Sequence, residues 1–203
     1  MHSSPRRPAL SHKQRLIKQG MKQFYAHGFH GTSVDTVLEA AAAPKGSFYH
    51  HFGSKDAFAM AVVREYHEAH VARLGRWAQE GRLDASERLC GYLKELTSAF
   101  EHLGCKHGCL IGKFSLELAP ASEGFGALLS SMLVGWKASI EQIIADGQTN
   151  RLFRDDLPSS NLADLVLSGI QGSVLLGLAH RDSAALRNLE VTIPALLARP
   201  VAR

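Results

Sequence analysis

The sequence predicts an all-α protein: an N-terminal three-helix head and a C-terminal helical body, about nine helices in all. Three observations predict it. Apolar residues recur every three or four positions along most of the chain, the spacing of a helix face. Hydroxyl and acidic residues stand where such stretches begin, as helix caps and first turns require. Within Thr32 to Lys55, TSVDTVLEAAAAPKGSFYHHFGSK, a short helix, a tight turn, a second short helix and a cap into a third follow one another. That is the order of a helix-turn-helix that reads DNA.

A chain of 203 residues can bury a real core in one large or two small domains. Apolar residues make up 45% and charged residues 21%, an ordinary soluble balance. No apolar run reaches the roughly 18 uncharged residues of a membrane span, so no membrane partner is expected. MHSSPRRPAL has two arginines and no apolar stretch behind them, unlike a secretory signal, so a cytoplasmic location is the default. Residues 1–55 hold eight Lys and Arg against two acids, and the remainder 15 against 17. A basic head on a mildly acidic body fits a polyanion-binding module, or a merely solvated basic face. Cys90, Cys105 and Cys109 form neither a disulfide framework nor a closed zinc site. A reducing compartment is expected, with no metal and no cofactor.

Residues 1–10 read as a flexible arm, in which Arg6 and Arg7 either lie against DNA or belong to a plain tail. Residues 11–55 form the head and 56–203 the body. Ser11 or His12 opens the first helix, with Leu16, Ile17, Met21 and Phe24 on one face, and it stops at Gly28. Phe29 then plugs the head core. Thr32 or Ser33 caps the second helix, which places Asp35 in its first turn and Val34, Val37, Leu38 and Ala41 inward. Pro44 cannot continue a helix but starts one well, and is expected as the first residue of the third. That helix, Lys45 to His51, is too short to stand alone, so Phe48 and Phe52 must anchor it. Its other side shows Lys45, Gly46, Ser47, Tyr49 and His50. Gly46 permits close approach of a phosphate, and Lys45 and Tyr49 suit phosphates or base edges. Ser54 caps a long helix running to about Glu80, with Lys55 near the DNA backbone.

These residues resemble the TetR family of transcriptional repressors over about residues 12 to 66. The resemblance lies in Phe24, Gly28-Phe29, Gly31-Thr32-Ser33-Val34, Ala41, Lys45 to Phe52 and Ser54-Lys55-Asp56. It implies that Thr32 and Lys55 contact phosphates and that Pro44 to His50 face the major groove. The chain departs from the family at Ala42-Ala43-Pro44. Ala42 in place of glycine is expected to tighten the turn and alter the angle of the reading helix.

The body shows Leu89, Leu93, Leu96 and Phe100 on a helix from Ala85, then a loop at Gly104 to Gly108 and a helix from Cys109 to Leu118. Ser122 or Glu123 begins a helix to about Asn150, and Asp155 to Ser160 is a turn. Leu162 to Ala179 is apolar nearly all round, so it should be buried on every side. Its small residues suit close helix approach, predicting half of a four-helix homodimer interface with the 123–148 helix, which is also the family's habit. Burial inside a monomer is the other reading. A last helix covers Ala184 to Leu197.

Cys109 falls in a first helical turn, with Lys106 and His107 before it and Lys113 at i+4. Helix N-termini and nearby cations favour the reactive thiolate; a small buried apolar residue is the plainer role. Gly108-Cys109-Leu110, Lys113 and Ser115 to Leu118 resemble the segment of TetR-type repressors that sense electrophiles such as N-ethylmaleimide or acrylate. That resemblance implies Cys109 as the sensing residue. Phe100, Phe114, Trp136 and His180 are the expected lining of an inducer pocket, or ordinary core.

The preferred function is a homodimeric repressor of a palindromic double-stranded DNA operator, released by a small-molecule inducer or electrophile. A Cys109–His107 enzyme is disfavoured, because neighbours two apart do not face each other on a helix. No catalytic residue is assigned. A protein-binding helical module without DNA affinity is the remaining alternative.

Overall fold

The computed structural model describes residues 10–199, and the expected arm, with Arg6 and Arg7, otherwise lies outside the described residues. Nine helices are present among the described residues: α1 His12–His27, α2 Val34–Ala41, α3 Lys45–Phe52, α4 Lys55–Ala78, α5 Ala85–His102, α6 Leu110–Glu117, α7 Glu123–Thr149, α8 Ser159–His180 and α9 Ala184–Leu197. The described residues contain no strand, only an isolated bridge between Phe153 and Ala198. The chain divides into two compact units, one ending at Tyr66 and one beginning at His67, so the division falls inside α4.

The first unit is built around Phe58. Its ring stands 5.8 Å from Phe24, 5.0 Å from Phe48 and 4.8 Å from Phe52, so the first turn of α4 gathers α1 and α3. Gly20 lets α1 come close, since a Cβ there would lie 2.3 Å from the Phe58 ring. Phe29 is buried beside Phe24. Ser11 forms a capping box with Gln14, Ser33 caps α2 by accepting from the Thr36 N–H, and the Ser54 hydroxyl accepts from the Ala57 N–H. Pro44 is the N-cap of α3 rather than its first helical residue: its ψ of 145° is extended, and the helix starts at Lys45.

The core of the second unit brings Leu89, Tyr92 and Leu93 of α5, Trp136 and Ile140 of α7, and Val166 and Ile170 of α8 into one cluster. Glu95 of α5 receives the Trp77 indole at 2.6 Å and the Arg73 guanidinium at 3.1 Å, both from α4. Glu101, near the end of α5, accepts from the Ser183 hydroxyl and the Arg187 guanidinium at the start of α9. Those bonds hold its carboxyl below the usual range, Ser183 contributing most.

Within the single chain α8 is not buried on every side: Leu165, Leu175 and Leu176 are 48%, 64% and 49% exposed. By length and composition it is also apolar enough to cross a membrane, with mean hydropathy 1.6 over 18 residues. The run of uncharged residues stops at Asp164, which pairs with Lys137 of α7 at 2.6 Å, and a window spanning that acid passes. A core helix of a globular body meets the same measure.

Candidate functional site

The outward side of α3 displays Lys45, Gly46, Tyr49 and His50, while Phe48 and Phe52 face the core. Tyr49 is 49% exposed and its ring stands edge-on to Phe48 at 5.4 Å. Among the described residues nothing lies within 4 Å of a Cβ placed on Gly46. Lys45 pairs with Asp35 of α2 across 3.4 Å, both side chains being well exposed. Such a pair is weak and easily exchanged for another partner. Ser47 is half-buried and Pro44 exposed. Ser33 is exposed at the α2 cap, and its hydroxyl also meets that of Thr36 at 2.6 Å. Lys55 holds its ammonium 4.4 Å from the centre of the Phe29 ring, a cation–π contact. Thr32 stands apart from the others. It is 3% exposed and its hydroxyl donates to the Gly28 carbonyl oxygen at 2.7 Å, which closes the turn before α2.

The turn between α2 and α3 is held by a residue whose role sequence reasoning missed. Arg15 of α1 donates from Nε to the Ala41 carbonyl oxygen at 3.0 Å and from Nη2 to that of Ala42 at 3.1 Å. Carbonyls at a helix C-terminus lack intrahelical donors, and Arg15 supplies them. Ala42 is left-handed, with φ 46° and ψ 49°, where the resemblance pointed to glycine. The only signal for Arg15 was its place on a basic helix face, shared with three lysines.

In the second unit Cys109 is the N-cap of α6, one residue before the helix expected to contain it. The thiol is half-buried and its sulfur accepts weakly from the Gly112 N–H at 3.5 Å. Gln171 of α8 borders the same turn: a Cβ on Gly112 would lie 2.9 Å from Gln171 Oε1 and 3.7 Å from Cys109 Cβ. Cys90 and Cys105 are also free. Among the described residues no cluster of His, Cys, Asp and Glu could hold a metal ion.

The four expected pocket residues do not converge on one cavity. Phe100, Phe114 and Trp136 are 5%, 0% and 2% exposed. Phe114 packs edge-on against Phe125, and the Trp136 indole is hydrogen-bonded to Tyr92. His180 is exposed, because the last residue of α8 faces outward before Arg181 turns left-handed. Neither of two surface cavities, of about 320 and 380 Å³, is lined by any of them. The first lies between α7 and α8 and is lined by Leu133, Val134, Lys137, Asp164 and Leu167 among others.

Beside this cluster, Trp136, Tyr92 and His70 form a buried hydrogen-bonded chain. Burial, with Arg73 and His67 nearby, pushes His70 down to about 3, so its ring stays neutral.

The profile of bacterial regulatory proteins of the tetR family matches residues 16–62, and that of the tetracyclin repressor-like C-terminal domain matches residues 85–193. The HTH-type transcriptional repressor DhaR of Mycobacterium sp. (strain GP1) is 31% identical over 91% of this chain and 92% of its own. The HTH-type transcriptional repressor NemR of Escherichia coli K12 is 30% identical over 68% of this chain and 69% of its own. The crystal structure of E. coli NemR in its reduced form superimposes with a TM-score of 0.86 at 26% identity, over 94% of this chain and 99% of that one. Two matched profiles across both units, with a helix-turn-helix whose α3 faces outward, place the chain in the TetR family of DNA-binding transcriptional regulators, which are not enzymes.

Proposed function

We propose that the chain is a cytoplasmic repressor that binds a palindromic operator as a homodimer and is released by a small-molecule inducer or electrophile. The exposed side of α3 carries this reading. Lys45, Tyr49 and His50 offer donors to phosphates and base edges, and Gly46 leaves room for the backbone of a duplex to approach. Pro44, Ser47, Ser33 and Lys55 flank that surface. Thr32 serves it by closing the turn that presents Ser33. The basic excess of residues 1–55 adds a salt-dependent attraction to DNA.

A dimer is supported by the apolar face that α7 and α8 leave uncovered, with Val134, Leu165, Leu175 and Leu176 exposed. Small residues Ser168, Gly169 and Gly172 lie along the same helix. Two α3 helices of such a dimer would have to reach successive major grooves, which are about 34–36 Å apart. An inducer must bind the DNA-incompetent arrangement better than the competent one.

Sensing is assigned to Cys109. It is half-buried at a helix N-terminus, and the name of the NemR structure specifies a reduced form. A gel shift with the DNA upstream of the protein's own gene tests the whole reading. Lys45→Ala or Tyr49→Ala should abolish the shift and leave the dimer intact; unchanged binding would refute the α3 assignment. Cys109→Ser should hold the operator and lose its response to an electrophile. Normal induction of that variant would leave sensing to a non-covalent pocket.

A further inference from the structure

The buried chain of Trp136, Tyr92 and His70 starts from a donor that chemistry fixes. The Trp136 indole N–H of α7 donates to the Tyr92 hydroxyl oxygen of α5 at 2.7 Å. An indole nitrogen can only donate. The Tyr92 hydroxyl also lies 3.0 Å from His70 Nε2 of α4, the acceptor found for its proton. We assign His70 the neutral tautomer with its proton on Nδ1, which gives the Tyr92 proton an acceptor. The three residues are 2%, 0% and 5% exposed, and the His70 and Trp136 rings are 4.0 Å apart. One hydroxyl thus joins three helices, and one of them, α4, continues back to Lys55.

Cys109 packs against the wider body core that contains Tyr92 and Trp136. Burial is the main reason the Tyr92 hydroxyl keeps its proton, and charge at the Cys109 sulfur acts on it in the same direction. Protein interiors are close-packed, so a group added at that sulfur must displace its neighbours. A partly broken chain would strand buried donors and acceptors, so the three side chains keep or change their partners together.

We propose that Tyr92 is the positioning residue that couples Cys109 to α4. Bulk added at the Cys109 sulfur displaces Tyr92, the Trp136–Tyr92–His70 chain opens as a unit, and the α4 segment around His70 is freed. This rests on the reading of Cys109 as the sensing thiol.

The test uses the full chain, an operator fragment and N-ethylmaleimide. The Cys109 thiol loses its proton to solvent, and the sulfur lone pair forms a C–S bond to one alkene carbon. The π pair moves onto the other carbon, which takes a proton from water, and no group leaves. Operator affinity is measured before and after alkylation for the unaltered chain and for Tyr92→Phe, with adduct formation at Cys109 followed by mass. Alkylation should weaken operator binding by at least about tenfold in the unaltered chain, within the usual range of allosteric coupling. Unmodified Tyr92→Phe should already bind as weakly, and alkylating it should add less than about twofold, the non-additivity expected of residues acting as a unit. His70→Gln, which restores an acceptor for the hydroxyl, should bind and respond like the unaltered chain.

With Trp77→Phe leaving Trp136 as the single tryptophan, its emission should shift alike on alkylation and on Tyr92→Phe. Should Tyr92→Phe fail to fold, Trp136→Phe removes the indole donor, keeps a ring, and carries the same affinity expectation. Full and independent effects of Tyr92→Phe and alkylation would overturn the coupling and leave Cys109 as a sensor. Alkylation of the unaltered chain without DNA release would overturn the sensing role itself, and the coupling with it.

Discussion

The Arg15 guanidinium is hydrogen-bonded to the Ala42 carbonyl oxygen at 3.1 Å, joining α1 to the turn of the helix-turn-helix. The same side chain holds the Ala41 carbonyl oxygen at 3.0 Å. Arg15→Ala leaves both carbonyls without that donor. It should destabilise the protein by about 1–2 kcal/mol, as for lost hydrogen bonds to a charged group at a partly buried site. Denaturant unfolding measures this, and operator affinity should fall although Arg15 lies behind the reading surface. Unchanged stability would reduce the contact to surface decoration.

Ala42 sits in left-handed backbone that disfavours a Cβ. Ala42→Gly removes that penalty and should stabilise the protein by about 1 kcal/mol, less the added freedom of glycine in the unfolded chain. Thermal unfolding gives the sign, and a lower midpoint would contradict it.

Gly46 and Gly20 should separate recognition from folding. Gly46→Ala meets no atom of the described residues, so the unfolding midpoint should hold while operator binding weakens. Gly20→Ala drives a methyl into the Phe58 ring and should lower the midpoint, with a cost of about 1–3 kcal/mol typical of overpacking. Equal operator affinity for Gly46→Ala and the unaltered chain would remove Gly46 from the DNA surface.

His70 makes stability depend on pH. Its folded value of about 3 lies below the ordinary 6.5, so the unfolded chain binds more protons between those limits. Stability from His70 is fully present above about pH 6.5 and declines as pH falls, with a limiting slope of about 1.4 kcal/mol per pH unit. His70→Gln should flatten the stability profile below pH 6.5 relative to the unaltered chain. Parallel profiles would show that His70 titrates normally.

Leu175 is 64% exposed on α8, a large apolar side chain without cover in the single chain. If the proposed dimer pairs through α8, Leu175→Glu should give a folded monomer of unchanged helix content, read by sedimentation and circular dichroism. A dimer that survives would place the interface elsewhere.

The head was legible because its signals are local. Ser11, Gly28, Ser33 and Ser54 stand at helix ends, and Phe24, Phe48 and Phe52 keep helical spacing, so α1 to α3 emerge with bounds close to those observed. Phe58 as the hub and Arg15 as the clamp were not legible, since both depend on contacts between helices far apart in sequence. The same limit applies to the body. The helices follow from periodicity, but the pairing of Trp136 with Tyr92, 44 residues apart, and of Tyr92 with His70, 22 apart, does not. Of the residues marked as pocket lining, Phe114 packs on Phe125 and Trp136 on Tyr92 and His70, and spacing cannot tell an inward face that meets a ligand from one that meets another helix.

The bonds from Ser183 and Arg187 to Glu101 bear on the order in which the chain matures. They span 82 and 86 residues, whereas Arg15 reaches Ala42 across 27. During synthesis the head can therefore close while the ribosome is still making α5. The body keeps part of its core open until α9 has emerged, about 100 residues later, at a rate of about 5–20 residues per second. For several seconds a DNA-reading head is complete on a chain whose apolar half is unfinished and still exposes core surface.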